Sequence, residues 1–336
     1  MARRLHVEFA NFICKFGSDK SLLDYVEEII IPAFNSGTVR RYGSTSFLFH
    51  QIQLVDLSDD DTPIMCIAGR FVKQTLLSRE QIYDAKAGLI KDTQSIESAP
   101  SSLFALILNN HKLLYIHETA HAPDLNSFRS TAHQLIQNAH KSFINRKYDE
   151  LNSKDDDKPR VTKKALLEET PHPSVEIIHL SSESTLEQFM KQYKTLTSVE
   201  ATLIETNDEL DMDGLFKDFR TSMYDIGSKK TSIKHHNKDG LSKDSALTQL
   251  NAAALQGNTF INLDGKDSSG DTLKGNNEKF KITVPISEIS KDVSEAAISM
   301  YDSFIGLISN GIIKISDTSD KVSDVIFRIK NSMTKR

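Results

Sequence analysis

Tryptophan is absent from this 336-residue chain, and cysteine occurs only at positions 14 and 66. Both thiols sit inside apolar runs, Asn11-Phe-Ile-Cys14 and Ile64-Met-Cys66-Ile67, so they read as buried and reduced rather than as part of a disulfide framework. Nowhere do the apolar residues approach the ~20 in succession that a membrane-crossing helix needs. The opening Met-Ala-Arg-Arg-Leu-His-Val-Glu8 holds no apolar stretch of signal-peptide length. The expectation is a cytoplasmic protein without membrane insertion. An excess of one charge sign is missing too: 41 Lys and Arg stand against 46 Asp and Glu, a net charge of −5. That balance favours solubility but exerts no global pull on nucleic acid or anionic lipid, so any anion-binding face has to be local. Neither the phosphate loop G-x-x-x-x-G-K-[ST] nor the dinucleotide fingerprint G-x-G-x-x-G is present, and no cofactor is expected.

What the chain does contain is ordinary globular composition, 38% hydrophobic and 26% charged, at a length comfortable for two domains. Residues 5–15 are rich in β-formers and predict a strand. Leu22, Leu23, Val26, Ile29 and Ile30 then repeat at helical spacing until Pro32 stops them. Strands follow at 45–57 and 64–74 around the turn-like residues 58–63. A hairpin at 103–108 and 112–117 closes on Asn109 and Asn110, since Asn tolerates positive φ. After Pro123, the apolar positions Leu125, Phe128, Ala132, Leu135, Ile136, Ala139 and Phe143 mark a long amphipathic helix.

Residues 152–160 and 162–164 are polar and charged, which predicts a linker. Beyond it comes a β-α-β-α rhythm: strands at 174–180, 198–205 and 232–236, helices at 183–192, 214–224 and 243–255. A last pair of strands, 259–263 and 280–286, is expected to flank a mobile loop at 264–278. Two amphipathic helices end the chain. Ile289, Val293, Ala296, Met300, Phe304 and Ile308 line one, and Val322, Val325, Ile326 and Ile329 line the other. The predicted class is α+β. An N-terminal domain (1–150) carries a mixed or antiparallel sheet with covering helices; a charged linker (151–173) leads to a β-α-β-α domain (174–286). The terminal helices (287–336) are a candidate oligomerisation surface, with packing on their own domain as the alternative.

His117-Glu118-Thr-Ala-His121 matches the zinc-peptidase pattern H-E-x-x-H. That chemistry needs a helix, where residues four apart share a face and both imidazoles reach one zinc while the Glu activates its water. Here residues 112–116 predict a strand entering the motif and Pro123 follows closely. In an extended chain the two His backbones lie ~13 Å apart, too far for easy shared ligation. His133 and His140 on the next helix do not have the usual spacing of a third ligand. The match is therefore expected to be coincidental, and a zinc metallopeptidase stands as an alternative function. Asp208, Glu209, Asp211 and Asp213 precede Gly214. Such acids hold a divalent ion if brought together, but more often they decorate a turn and favour the next helix N-terminus. No metal site is expected.

Three basic clusters are candidates for phosphate contact: Arg3 with Arg4, Arg40 with Arg41, and the stretch from Gly227 to Lys238. The last is nearly free of acids and carries Lys229, Lys230, Lys234, His235, His236 and Lys238. Lysines on a strand and its flanking turns make a flat positive face that binds duplex backbone by displacing counterions, without reading sequence. The contacts expected are Lys229, Lys230, Lys234, His235 and Lys238, then Arg40 and Arg41.

The order of elements resembles the RexA-type phage-exclusion proteins and their bacterial relatives. The resemblance lies in the strand Leu5-His-Val-Glu-Phe-Ala-Asn11, a strand ending Ile67-Ala-Gly-Arg70-Phe, and Ser101-Ser-Leu-Phe leading through Leu113-Leu-Tyr-Ile116. The helix at 123–143 and the stretch 175–224, with Asn207-Asp-Glu-Leu-Asp211, continue it. It spans most of residues 1–286 as layout and scattered residues, without a specific motif. The resemblance implies a homodimeric, double-stranded-DNA-binding component of an anti-phage system that works with a separate effector protein. It supplies no catalytic residue. A scaffold subunit of a multiprotein complex is the other non-catalytic alternative.

Overall fold

The computed structural model describes residues 4–58, 62–153, 160–207, 214–315 and 319–333. Its central strand is β1 (Leu5–Phe16), buried on both faces from Val7 onward. Behind it come β2 (Lys20–Ser21), a 3₁₀ turn (Leu22–Tyr25), a π-helical turn (Val26–Ile30) and α1 (Ile31–Phe34). Pro32 thus lies in the first turn of a helical segment rather than ending one. The reason is local: the Ile31 N–H reaches back to the Val26 carbonyl, five residues away, and the widened turn admits a proline that has no N–H to donate.

The next strands are β3 (Arg40–Tyr42), β4 (Thr45–Asp56), β5 (Met65–Ser78), β6 (Gln81–Asp84), β7 (Gly88–Lys91), β8 (Ser95–Ser98), β9 (Ser101–Ile107) and β10 (Lys112–His117). Then come α2 (Leu125–Asn152), α3 (Lys163–Glu169) and β11 (Pro173–His179). All of these strands but β6 and β7 belong with β1 to one antiparallel sheet, whose main path runs β11-β1-β10-β9-β5-β4-β3. In the β9–β10 hairpin the left-handed residue is His111 (φ 57°), not an asparagine. The Asn109 carboxamide instead accepts from Met65 N (3.0 Å) and donates to the Pro63 carbonyl (3.0 Å), stitching the hairpin to the turn before β5. Within the predicted linker, residues 154–159 lie outside the described residues, as do residues 59–61 of the earlier turn.

The remaining elements are α4 (Glu183–Met190), β12 (Thr195–Ile204), α5 (Gly214–Asp225), β13 (Lys230–His236), α6 (Lys243–Gln256), β14 (Thr259–Lys266), β15 (Thr272–Asn276), β16 (Thr283–Ile286), α7 (Val293–Ser309) and α8 (Asp320–Met333). Four of these strands form a second antiparallel sheet, β13-β12-β14-β15. The segment 264–278 is a correction to the sequence reading. It is the turn and second strand of the β14–β15 hairpin, in which Asn262 faces Asn276 and Lys266 faces Thr272. β16 goes elsewhere: with β11 it lines the edge of β1 that β10 does not occupy. The large sheet therefore draws strands from both sides of residues 151–173.

Two cores follow from the two faces of β1. On one face Ala10, Phe12, Cys14 and Phe16 meet the turns after β2, α2 and Val325, Ile326 and Ile329 of α8. Phe128 of α2 stands amid Phe49, Phe71 and Phe104, with ring centroids 5.0–5.4 Å away. On the other face Val7 and Phe9 meet Val293, Ala296, Met300 and Phe304 of α7. The apolar stripes of both terminal helices are thus buried within their own chain. Among the described residues no helix is long and apolar enough to cross a membrane.

One excursion leaves this body. Beyond Gln74, β5 pairs with β8, and the β6–β7 hairpin extends the ribbon. Seven large apolar side chains are exposed along it, among them Ile96 at 67%, Leu89 at 70% and Tyr83 at 75%.

Candidate nucleic-acid interface

The four-stranded sheet has one covered face and one open one. Val199, Ala201 and Leu203 of β12, Ile233 of β13, and Ile261 and Leu263 of β14 point to α4, α5 and α6 and make a third core. Side chains alternate along a strand. The opposite face therefore presents Lys230, Ser232, Lys234 and His236 from β13, Glu200 and Thr202 from β12, and Phe260 and Asn262 from β14. Cross-strand pairing fixes who meets whom. Glu200 lies opposite Lys234 and Asn262, and Thr202 opposite Ser232 and Phe260. A hydroxyl contact of 2.8 Å joins Thr202 to Ser232, and Lys234 Nζ stands 3.8 Å from Glu200.

β13 is the edge of this sheet, and residues 229, 230, 234, 235, 236 and 238 are all exposed. Lys229 enters the strand and Lys238 leaves it in the turn closed by Gly240. His235 differs from its neighbours: it turns to the helix side, against Leu241, Ser242 and Ser245. His236 takes the place on the open face. The sequence reading also missed Lys266 and Lys274, which the hairpin brings onto the same face. The signal was a period-2 pattern hidden in a segment read as a loop.

Arg40 and Arg41 are not part of this surface. They lie on β3, at the far edge of the large sheet and six strands from β11. The Arg40 guanidinium rests over the rings of Tyr42 and Phe47, each 5.5 Å from the centroid. The two arginines make a separate basic point. Arg3 and the acidic cluster of Asp208, Glu209, Asp211 and Asp213 lie outside the described residues.

Where the open face meets α2 and β11 there is a cleft of about 450 Å³. Its walls are Asn126 and Arg129 of α2, Glu176 and His179 of β11, Glu200, Lys230, Phe260 and Asn262 of the second sheet, and Glu278 of the turn after β15. Arg129 pairs with Glu176 at 3.5 Å. Behind the wall, Glu8 of β1 is 7% exposed and is met by three donors. Lys281 Nζ lies 2.7 Å from its carboxylate, and the Nε2 atoms of His117 and His179 each lie 3.5 Å away. Burial alone would raise this carboxyl, but the hydrogen bonds from His117, His179 and Lys281 outweigh it and hold the group far below the usual carboxylate range.

The H-E-x-x-H match is divided by the same alternation. His117 ends β10 facing Glu8. Glu118 faces the other way, accepting from Arg70 Nε at 3.0 Å and from Ser101 Oγ at 2.7 Å. His121 sits exposed in the turn before α2 with φ 62°. The helix that zinc ligation by this motif requires is not formed. Among the described residues no group of three or more His, Cys, Asp or Glu is placed to hold a metal ion. No protein-family model matches this chain, and no curated protein matches it.

Proposed function

We propose that this chain is a cytoplasmic, non-enzymatic component of a bacterial anti-phage system that binds duplex DNA along β13 and signals to a separate effector protein. One observation carries the binding: an edge strand and its two turns expose Lys229, Lys230, Lys234, His236 and Lys238 in a row, with Glu200 the acid opposite them on β12. Cations spaced along an extended strand meet successive phosphates and leave base edges untouched, so the contact is non-specific and salt-sensitive. The defence setting and the effector rest on the resemblance in residues 1–286. The test is duplex affinity across a salt series. Reversing Lys229 and Lys230 to Glu is expected to weaken binding and lower the salt slope by about two phosphate equivalents. Lys164→Glu on α3, 89% exposed and remote in sequence, is the control. Unchanged affinity in a folded double variant refutes the assignment.

The homodimer expected for such a component is assigned here to the β5–β8 ribbon, because α7 and α8 are occupied by their own sheet. A two-stranded ribbon with apolar side chains on both faces is marginal alone. It carries Arg79, Lys86 and Lys91 against Glu80, Asp84, Asp92 and Glu97, a near-balance that suits its own two-fold image better than a polyanion. Sedimentation is expected to show a dimer that Tyr83→Asp with Leu89→Asp converts to a monomer. A monomeric wild type at tens of micromolar refutes it.

A further inference from the structure

The cleft beside Lys230 has features that phosphate contact does not use. We infer that it receives a single unpaired nucleobase from a DNA strand lying along β13; this rests on the DNA-binding reading above.

At about 450 Å³ the cleft falls in the range of small-molecule sites and has room for a base with its sugar. Its apolar lining is Leu125, Ile177, Ile178 and Phe260; the first three are buried, and Phe260 is a half-buried ring braced by Ile13, Ile178 and Ile204. A flat ring fixed on one side is a stacking platform, and base–aromatic stacking is the commonest way proteins hold an unpaired base.

Charge then separates base from phosphate. Glu176, Glu200 and Glu278 line the cleft. Three carboxylates repel a phosphate but accept hydrogen bonds from the ring and exocyclic N–H groups of an uncharged base. The carboxamides of Asn126 and Asn262 add a donor and an acceptor each, and among the described residues neither makes an intramolecular hydrogen bond. Such groups match the edge of a base. The cations are Arg129, paired with Glu176, and Lys230, which belongs both to the cleft and to the exposed row on β13. A backbone held at Lys230 therefore places the attached base over the cleft.

A duplex keeps its bases stacked, and extruding one costs a few kcal/mol, least where the base is already unpaired. The expected preference is accordingly for a duplex carrying a bulged or mismatched nucleotide, which makes the protein a reader of distorted DNA rather than of sequence.

The experiment uses the full chain and three probes: a paired 20-bp duplex, the same duplex with one bulged 2-aminopurine, and free 2-aminopurine riboside. The bulged duplex is expected to bind at least tenfold tighter than the paired one, with 2-aminopurine emission quenched on binding. Phe260→Ala should remove that preference and leave paired-duplex affinity unchanged. Asn126→Ala with Asn262→Ala, at two exposed positions, should do the same without touching the braced ring. Equal affinity for the two duplexes with unaltered emission overturns the inference and leaves duplex binding standing. Binding of the free riboside with no gain for the bulged duplex overturns it as well, since the cleft would then serve a free nucleoside. Failure to bind any duplex removes the DNA-binding reading itself.

Discussion

Replacing Glu8 by Gln tests whether the buried cluster behind the cleft holds the fold together. The substitution keeps shape and removes the charge, leaving Lys281, His117 and His179 around a neutral amide. Breaking a buried ion pair by deleting one partner costs about 3–5 kcal/mol. Lys281 is 22% exposed and can turn to water, which puts the expected loss at the lower end, about 3 kcal/mol at pH 7. In a chain of 336 residues that lowers the melting temperature by roughly 4 °C. The pH dependence follows from the sign of the shift. The folded carboxyl titrates below its ordinary value of 4.5, so the stability it contributes is complete above that value and drains away as pH falls beneath it. The gap between wild type and variant is expected to narrow by about 1.4 kcal/mol between pH 7 and pH 3.5, one pKa unit's worth. Urea melts at the two pH values supply both numbers. Equal stability at pH 7, or a gap as wide at pH 3.5, refutes the account of Glu8 as the charged hub.

Three further outcomes follow from packing. Truncation after Ile286 removes Val293, Met300, Phe304 and Leu307 from one core and Ile326 and Ile329 from the other; at ~1.5–3 kcal/mol per buried side chain the loss reaches the whole stability of a typical domain. The truncated chain is expected to lack a cooperative thermal transition, and a sharply melting product would contradict the sheet-covering role of α7 and α8. Gly257→Ala places a Cβ 2.5 Å from Leu180 Cδ2 at a residue with φ 65°, so we expect a loss of more than 1 kcal/mol, read as a lower urea midpoint. Burial pushes the Cys14 thiol up to about 12 and Cys66 higher still; neither should react with a disulfide reagent at pH 8 until the protein is unfolded, and prompt labelling of the native chain would contradict their placement.

Local chemistry made much of this fold legible. The 3.6-residue period gave α2 from Leu125 onward, and Asp124, which accepts from Ser127 N at 2.8 Å, marks its start. Buried strands such as β1 and β10 were plain because their apolar runs are short and bounded. Three features were not legible, each because a distant partner decides it. The fate of residues 283–286 depends on β1, some 275 positions earlier, where Leu5 pairs with Ile286. Local pattern made them the second strand of a hairpin. The ribbon from Thr75 to Ser98 carries no core-facing period, since neither face is covered. On β13, strand and charge were both visible, but the side each residue takes was not. Assigning His235 rather than His236 to the lysine face is an error of one residue, and in a strand one residue is the difference between two faces.

The junction between the sheets shows how so small an apolar contact fixes one geometry. Among the described residues, Ile13, Ile178 and Ile204, with Phe260 against them, form a small apolar cluster that joins the bodies. Burial has no direction, and four such side chains would tolerate sliding. Carboxamides supply the direction. Asn11 Nδ2 donates to Asn258 Oδ1 at 2.6 Å, Asn207 Nδ2 donates to the Phe12 carbonyl at 3.0 Å, and Asn207 Oδ1 accepts from Cys14 N at 3.3 Å. Each bond ends on β1 or on a side chain it carries, and a shift of one residue would leave buried polar groups unpaired at about 1–3 kcal/mol apiece. A cleft built from both bodies needs that constraint, because Arg129 and Glu176 stand on one side of it and Phe260 and Lys230 on the other, and an error of about 1 Å between the bodies would change its width. The polar junction therefore does for the cleft what Glu8 does for its wall: it sets position at some cost in intrinsic affinity between the sheets, and position is what a cleft with walls from both sheets requires.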